Sequence, residues 1–144
     1  DAVDSWTEVG FNLQSESGSS QGYFLPPTVI PRHMAPGQIV YINRYASYES
    51  AATLDSPRQT GGVIFLGQEP VSVLGRTYMA CRFSTQLATQ YPSLGLTMDR
   101  QTTTWVVQGI GIVKASVHEA TYDDFGTGIG YTTTDVTVVD VQSF

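Results

Sequence analysis

Apolar and polar side chains alternate in short runs throughout this chain, and glycine or proline closes nearly every run. That two-residue period suits a strand with one buried face, because successive side chains on a strand point to opposite sides. Gln38–Glu49 shows it most plainly: Ile39, Tyr41, Asn43 and Tyr45 fall on one face and Val40, Ile42 and Arg44 on the other. The residues that favour long helices are thinly spread, and Gly, Thr, Val, Tyr and Ser dominate instead. Fourteen glycines and seven prolines punctuate the runs at short intervals, which is the signature of an antiparallel sandwich or barrel.

The pattern predicts about eight strands. Trp6–Leu13 alternates around Gly10 and reads as a first strand or an N-terminal arm, within residues 1–22. Ser15–Gly22 has the Ser, Gly and Gln composition of a flexible loop. Leu25–Pro36 contains four prolines, which lack the ladder donor, so it is expected to be extended, at an edge or outside the sheet. Pro36-Gly37 is a turn signal. Ser50–Gly62 reads as a polar loop with room for a short helical turn around Ser50–Leu54. Val63–Leu66 is a short apolar strand, Gly67 a bulge or turn, and Gly75-Arg76 a tight turn. Thr77–Ala88 is the next strand and Tyr91–Asp99 a loop. Thr102–His118 reads as the longest strand, with a sharp bend at Gly109 and Gly111. Asp123–Gly130 is a turn cluster, and Tyr131–Val141 closes the chain as a strand.

No boundary divides residues 1–144, so one β domain is expected. At this length it buries enough surface to fold without covalent staples. The single cysteine, Cys81, excludes an internal disulfide. Lying within Tyr78–Phe83, it reads as a small buried hydrophobe rather than a nucleophile. Lys114 is the only lysine, and seven cations stand under a net charge of −6. Nucleic-acid binding, which displaces phosphate counterions with a cationic patch, is therefore not expected. Nor is attraction to an anionic membrane surface. No apolar run reaches the roughly 18 residues of a membrane-spanning helix. Charged residues are only 14% of the chain, and hydroxyls and amides supply the polarity, a surface common on secreted and envelope β proteins. The opening Asp1–Ser5 looks like a processed start, with any export signal or lipid anchor upstream.

Chemistry-bearing residues are scattered. His33 and His118 have no partner at metal-ligand spacing. Asp123-Asp124 is the best carboxylate pair, but its spacing is not that of a calcium loop, and an acidic turn explains it more simply. Gly126-x-Gly128-x-Gly130 lacks the following helix of a phosphate site and reads as a hairpin connection. Glu49, Glu69 and Glu119 are carboxylates of the type glycosidases pair, yet nothing around them singles one out. A hydrolase would have to assemble its site in space from residues such as Glu69, Asp123 and His118. No metal and no cofactor is expected. Aromatic side chains remain: Tyr41, Tyr45, Tyr78 and Trp105 are the candidate ligand-binding residues, suited to an apolar ligand or to stacking on sugar rings. The plainer alternative makes these aromatics the core.

Two segments together resemble a known type: Gly67–Phe83 (GQEPVSVLGRTYMACRF) and Thr103–Lys114 (TTWVVQGIGIVK), with Pro31–Tyr41 as an opening strand. They are similar to bacterial envelope proteins of the TapB-like, uncharacterised lipoprotein type over about residues 26–118. The resemblance implies a single antiparallel sheet curled into an open half-barrel, similar to periplasmic lipoprotein carriers, with a β-sandwich as the alternative. It also implies an envelope location, periplasmic or on the outer surface. On that resemblance Gly109 and Gly111 relieve crowding where a strand curls, Trp105 covers an open end, and Lys114 marks emergence into solvent. The expected function is a non-catalytic secreted or envelope binding module that holds an apolar small molecule or a protein partner on a curved sheet. The alternative is a structural subunit that self-associates into a surface assembly or filament through its N-terminal arm and sheet edge.

Overall fold

A computed structural model describes residues 5–15, 18–31, 33–48 and 52–137. They form one eight-stranded antiparallel sheet in which every strand pairs with its neighbours in sequence, and the sheet is not closed into a barrel. The strands are β1 (Ser5–Ser15), β2 (Gly18–Pro31), β3 (Ile39–Ser47), β4 (Arg58–Val73), β5 (Arg76–Tyr91), β6 (Leu96–Val107), β7 (Gly111–Asp123) and β8 (Gly128–Thr137). A 3-10 turn at Pro92–Leu94 links β5 to β6.

Several expectations change. The stretch expected as a Ser/Gly/Gln loop is strand over Gly18–Gly22. These residues pair with Phe11–Ser15, so the N-terminal stretch is a hairpin of the sheet rather than a free arm. Its serines fit a strand because, in the outer half of the hairpin, β2 has no partner except β1. The proline-rich segment lies in β2 up to Pro31. Pairing to β3 covers only Tyr23–Leu25 and ends where Pro26 and Pro27 remove two donors, while pairing to β1 runs on to Pro31. The long run Thr102–His118 is not one strand. It reverses through Gln108–Ile110, so Trp105 and Lys114 face each other across the β6–β7 hairpin. Gly109 supplies the left-handed backbone, φ 80°, that this reversal needs. The Ser50–Gly62 loop is shorter than expected, since β4 begins at Arg58, and the Tyr91–Asp99 loop is reduced to the Pro92–Leu94 turn and Gly95, Tyr91 ending β5 and Leu96 opening β6. Residues 49–51, with Glu49 and part of the expected helical turn, and residues 138–141 lie outside the described residues.

Directly paired residues share a face of a sheet, so the register sorts the side chains. The first face carries Val40, Ile42, Val63, Phe65, Phe83 and Leu87; the second carries Tyr41, Asn43, Tyr45, Thr60, Gln86 and Ala88. At Leu66 the ladder slips by one residue, Phe65 pairing with Phe83 and Gly67 with Arg82. Gly67 takes φ 109° at this bulge, which bears out the bulge expected there. The slip inverts parity in β4, so Glu69, Val71 and Val73 come out on the second face although they continue the same alternation as Val63 and Phe65.

Two cores on opposite faces follow. Ile42, Val63 and Phe65 pack on the first face, covered by Ile30 of β2 and by Met34 just beyond it, with Cys81, Phe83 and Leu87 alongside. The Phe65 and Phe83 ring centroids are 5.1 Å apart. Val73, Ala80, Trp105, Val107 and Val113 pack on the second face at the far end of the β4–β5 hairpin; Ala80 and Val113 are 0% exposed.

Buried Arg44 ties the N-terminal hairpin over the first core. Its Nη1 donates to Glu8 Oε2 at 2.7 Å and to Thr28 Oγ1 at 3.0 Å, and its Nε donates to Gln59 Oε1 at 2.9 Å. The guanidinium lies 3.4 Å from the Phe24 ring centroid, so four strands converge on one cation. Removing Glu8 strands that buried charge. Glu8→Ala is expected to cost about 2–3 kcal/mol, below the usual 3–5 because Glu8 itself is half-exposed and Thr28 and Gln59 remain. Urea unfolding followed by tryptophan fluorescence measures it.

Candidate functional site

The second face between its core and the Tyr45 end is not covered by any described element. Two rungs cross it. One runs Asn43, Thr60, Ala88, Asp99, Ala120, Tyr131; the other runs Tyr41, Gly62, Gln86, Gln101, His118, Thr133. Thr60, Gly62, Ala88 and Ala120 are small, so the floor sits low between longer neighbours. The result is a shallow cavity of about 450 Å³ over β4–β8, with the side chains of Gln86, Asp99, Gln101, His118 and Tyr131 around it.

At the β8 side a short relay orients the rim: His118 Nδ1 lies 3.1 Å from Thr133 Oγ1, which donates to the Tyr131 hydroxyl at 3.3 Å. Glu119 and Arg100, which alternate with the second-face residues along β7 and β6, also line the cavity and pair with each other at 3.3 Å, holding the two strands together there. Neutral amides, an imidazole, the Asp99 carboxylate, this ion pair and a phenol around an open floor offer hydrogen bonds in both directions.

The four candidate ligand residues all lie on this second face, but only one rung of them borders the cavity and none lines it. Tyr41 is 79% exposed, on the same rung as Gln86 and His118, and Tyr45 is exposed one rung beyond Asn43. Neither belongs to a core, contrary to the plainer alternative. Tyr78 is half-buried against the second core, and Trp105, at 8% exposure, is part of it. The Trp105 indole N–H donates to Glu69 Oε1, which places the ring edge against a fixed partner. Lys114 Nζ stands 4.4 Å from the ring centroid, a cation–π contact across the hairpin. Trp105 thus anchors the β6–β7 hairpin against β4 and β5 rather than presenting a surface.

The residues weighed for hydrolysis do not converge. Glu69 accepts from Trp105 and, at 3.3 Å, from Arg82. Asp123 Oδ1 accepts from the Phe125 and Thr127 amides at 2.9 and 2.8 Å, the acidic-turn arrangement. His118 lies five residues along β7 from Asp123, about 17 Å at strand rise. The described residues contain no group of three or more His, Cys, Asp or Glu that could hold a metal ion. No described helix is long and apolar enough to cross a membrane.

No protein-family model, curated protein or solved structure matches the chain.

The cavity escaped the sequence reading because its floor is made of Ala88 and Ala120, which become neighbours of Asp99 only through register. Gln86 and Gln101, directly paired, gave no motif.

Glu69 carries a pH signature. The Trp105 hydrogen bond holds its carboxyl below the ordinary 4.5; partial desolvation opposes this, and the Arg82 and Lys114 charges support it. A depressed folded-state value stabilises fully above the unfolded value and is lost as pH falls through the folded one. Glu69→Gln is therefore expected to flatten the decline in urea midpoint below about pH 4.5 while leaving its slope near neutrality unchanged.

Trp105→Ala is expected to cost about 3–5 kcal/mol by urea unfolding, the range for deleting a buried indole.

Proposed function

We propose that the chain is a non-catalytic binding module that holds its ligand in the cavity on the second sheet face. The observation that carries this reading is the cavity itself. Eight strands in a single layer leave a stretch of face uncovered, and that stretch has a low floor ringed by hydrogen-bonding groups. A location outside the cytoplasm, secreted or in the cell envelope, fits the low charge content and hydroxyl-rich composition, and with it the likeness to envelope lipoproteins. An apolar ligand suits the carbon floor of Ala88 and Ala120, whereas Gln86, Gln101, Asp99 and His118 suit one that also hydrogen-bonds. Buried polar groups left unpaired by a purely greasy ligand would each cost about 1–3 kcal/mol.

Filling the floor tests the seat. In two-dimensional amide NMR with a small fragment library, hits are expected to shift Ala88, Gln101, His118 and Ala120. Ala88→Trp should abolish those shifts while the far-ultraviolet circular dichroism stays strand-like. Shifts confined to other regions, or unchanged in Ala88→Trp, would remove the cavity from the proposal.

A second reading, a subunit that assembles through its sheet edge, is favoured by β8. This outer strand has ten residues, and Gly128–Asp135 are exposed throughout. It contains no proline or lysine and one charge, Asp135, so it lacks the usual devices that blunt an edge. If β8 pairs between copies, light scattering should show mass rising with concentration, and Thr134→Lys should hold the protein monomeric. A monomer at all concentrations removes this reading.

A further inference from the structure

We infer that the second face takes a neutral, hydroxyl-rich polysaccharide chain laid across the strands from Tyr41 to Tyr131. This rests on the cavity being the ligand seat and names the class of molecule that fits it.

Three observations lead to that class. The first is the placing of aromatic rings. Tyr41 on β3 is 79% exposed and Tyr131 on β8 is 74% exposed, and they stand on adjacent rungs five strands apart. At about 4.8 Å per strand the span is at most about 24 Å, shortened by any curl of the sheet. Phenol rings stack on the C–H faces of pyranose rings and bury apolar area that each now leaves in water.

The second is what lies between the rings. Gln86, Gln101, Asp99 and His118 present planar groups that between them donate and accept, the complement of sugar hydroxyls. Gly62, Thr60, Ala88 and Ala120 keep the path across the strands low. A floor that continues along the rungs, rather than a closed pocket, accommodates a polymer passing through.

The third is charge. Three charged residues line the cavity, and Arg100 is paired with Glu119 at 3.3 Å, which leaves Asp99 as the one formal charge there without an opposite partner. Arg58, at the edge of this face, has its guanidinium committed to Asn43 Oδ1 at 3.2 and 3.3 Å. With a net charge of −6, the protein repels polyanions, which excludes acidic polysaccharides as the occupant. A lipid chain would desolvate the amides without pairing them.

Native affinity electrophoresis in gels containing xylan, glucomannan, mixed-linkage β-glucan or galactan tests this, with alginate as the polyanion. At least one neutral polysaccharide should retard the protein and alginate should not. Tyr41→Ala and Tyr131→Ala should each weaken retardation roughly five- to tenfold. Tyr131→Phe, which keeps the ring, should restore it, and Phe125→Ala, an exposed aromatic in the β7–β8 turn, should change nothing. Circular dichroism checks that each variant is folded. Absence of retardation in every neutral gel overturns the inference, as does retardation by alginate alone or retardation unmoved by both tyrosine substitutions. Fragment shifts at Ala88 and His118 with blank gels would leave the ligand seat standing and end only the polysaccharide assignment; blanks in both would end both.

Discussion

A single layer of strands has two faces to protect from water, and the described residues contain too little helix to cover either. The solution turns on one inserted residue. At Leu66 the β4–β5 ladder slips, and the apolar alternation that fed the first face begins to feed the second. The slip separates Val63 and Phe65 from Val71 and Val73, so that the sheet gains two modest cores on opposite sides. Each core is completed by a hairpin. The N-terminal β1–β2 hairpin contributes Ile30 to the first, and the β6–β7 hairpin contributes Trp105, Val107 and Val113 to the second. The ligand-sized cavity lies on the stretch of second face that neither core reaches.

Polar contacts decide how these hairpins are held. Arg44 gathers Glu8, Thr28 and Gln59 over the Phe24 ring, and its charge is tolerable in that position only because its donors are shared among them. Glu69 has the corresponding role at the other end, joining Trp105 of β6 to Arg82 of β5. The two sites differ in kind. The first centres on a buried cation whose donors three side chains share, the second on a carboxylate that accepts from an indole and a guanidinium and is held below its ordinary range chiefly by the indole.

Much of the sheet was legible from alternation. The grouping of β3 was read correctly, Val40, Ile42 and Arg44 on one face and Ile39, Tyr41, Asn43 and Tyr45 on the other, and the irregularity at Gly67 was expected from glycine in an apolar run. Two kinds of feature were not legible. Gly109-Ile110-Gly111 sits within a continuous Val/Ile pattern, and nothing local distinguishes a bend from a full reversal. The outer β1–β2 hairpin is rich in serine and glycine because the far side of β2 there has no neighbour, a composition shared with loops. The site was less legible still. Aromatic residues drew attention to Tyr78 and Trp105, which the second core absorbs. The cavity depends on Ala88 and Ala120, residues whose smallness matters only once Asp99 lies between them. Register is a property of pairs of strands, and a periodicity read along one strand does not contain it.

Strand β8 joins the two functional readings. Tyr131 belongs both to the cavity rim and to the outermost strand, and its hydroxyl is tied through Thr133 to His118. An edge strand with one neighbour is held less firmly than an interior one, so its outer residues open at lower free energy. Pairing of β8 with another strand would order Tyr131 before a ligand arrived and lower the entropy lost on binding. A ligand bridging Tyr131 and the β3 side would conversely fix β8 for pairing. Linkage requires these two effects to be equal in free energy. On the two proposed readings, binding across the face and association at the edge would therefore be two demands on one strand.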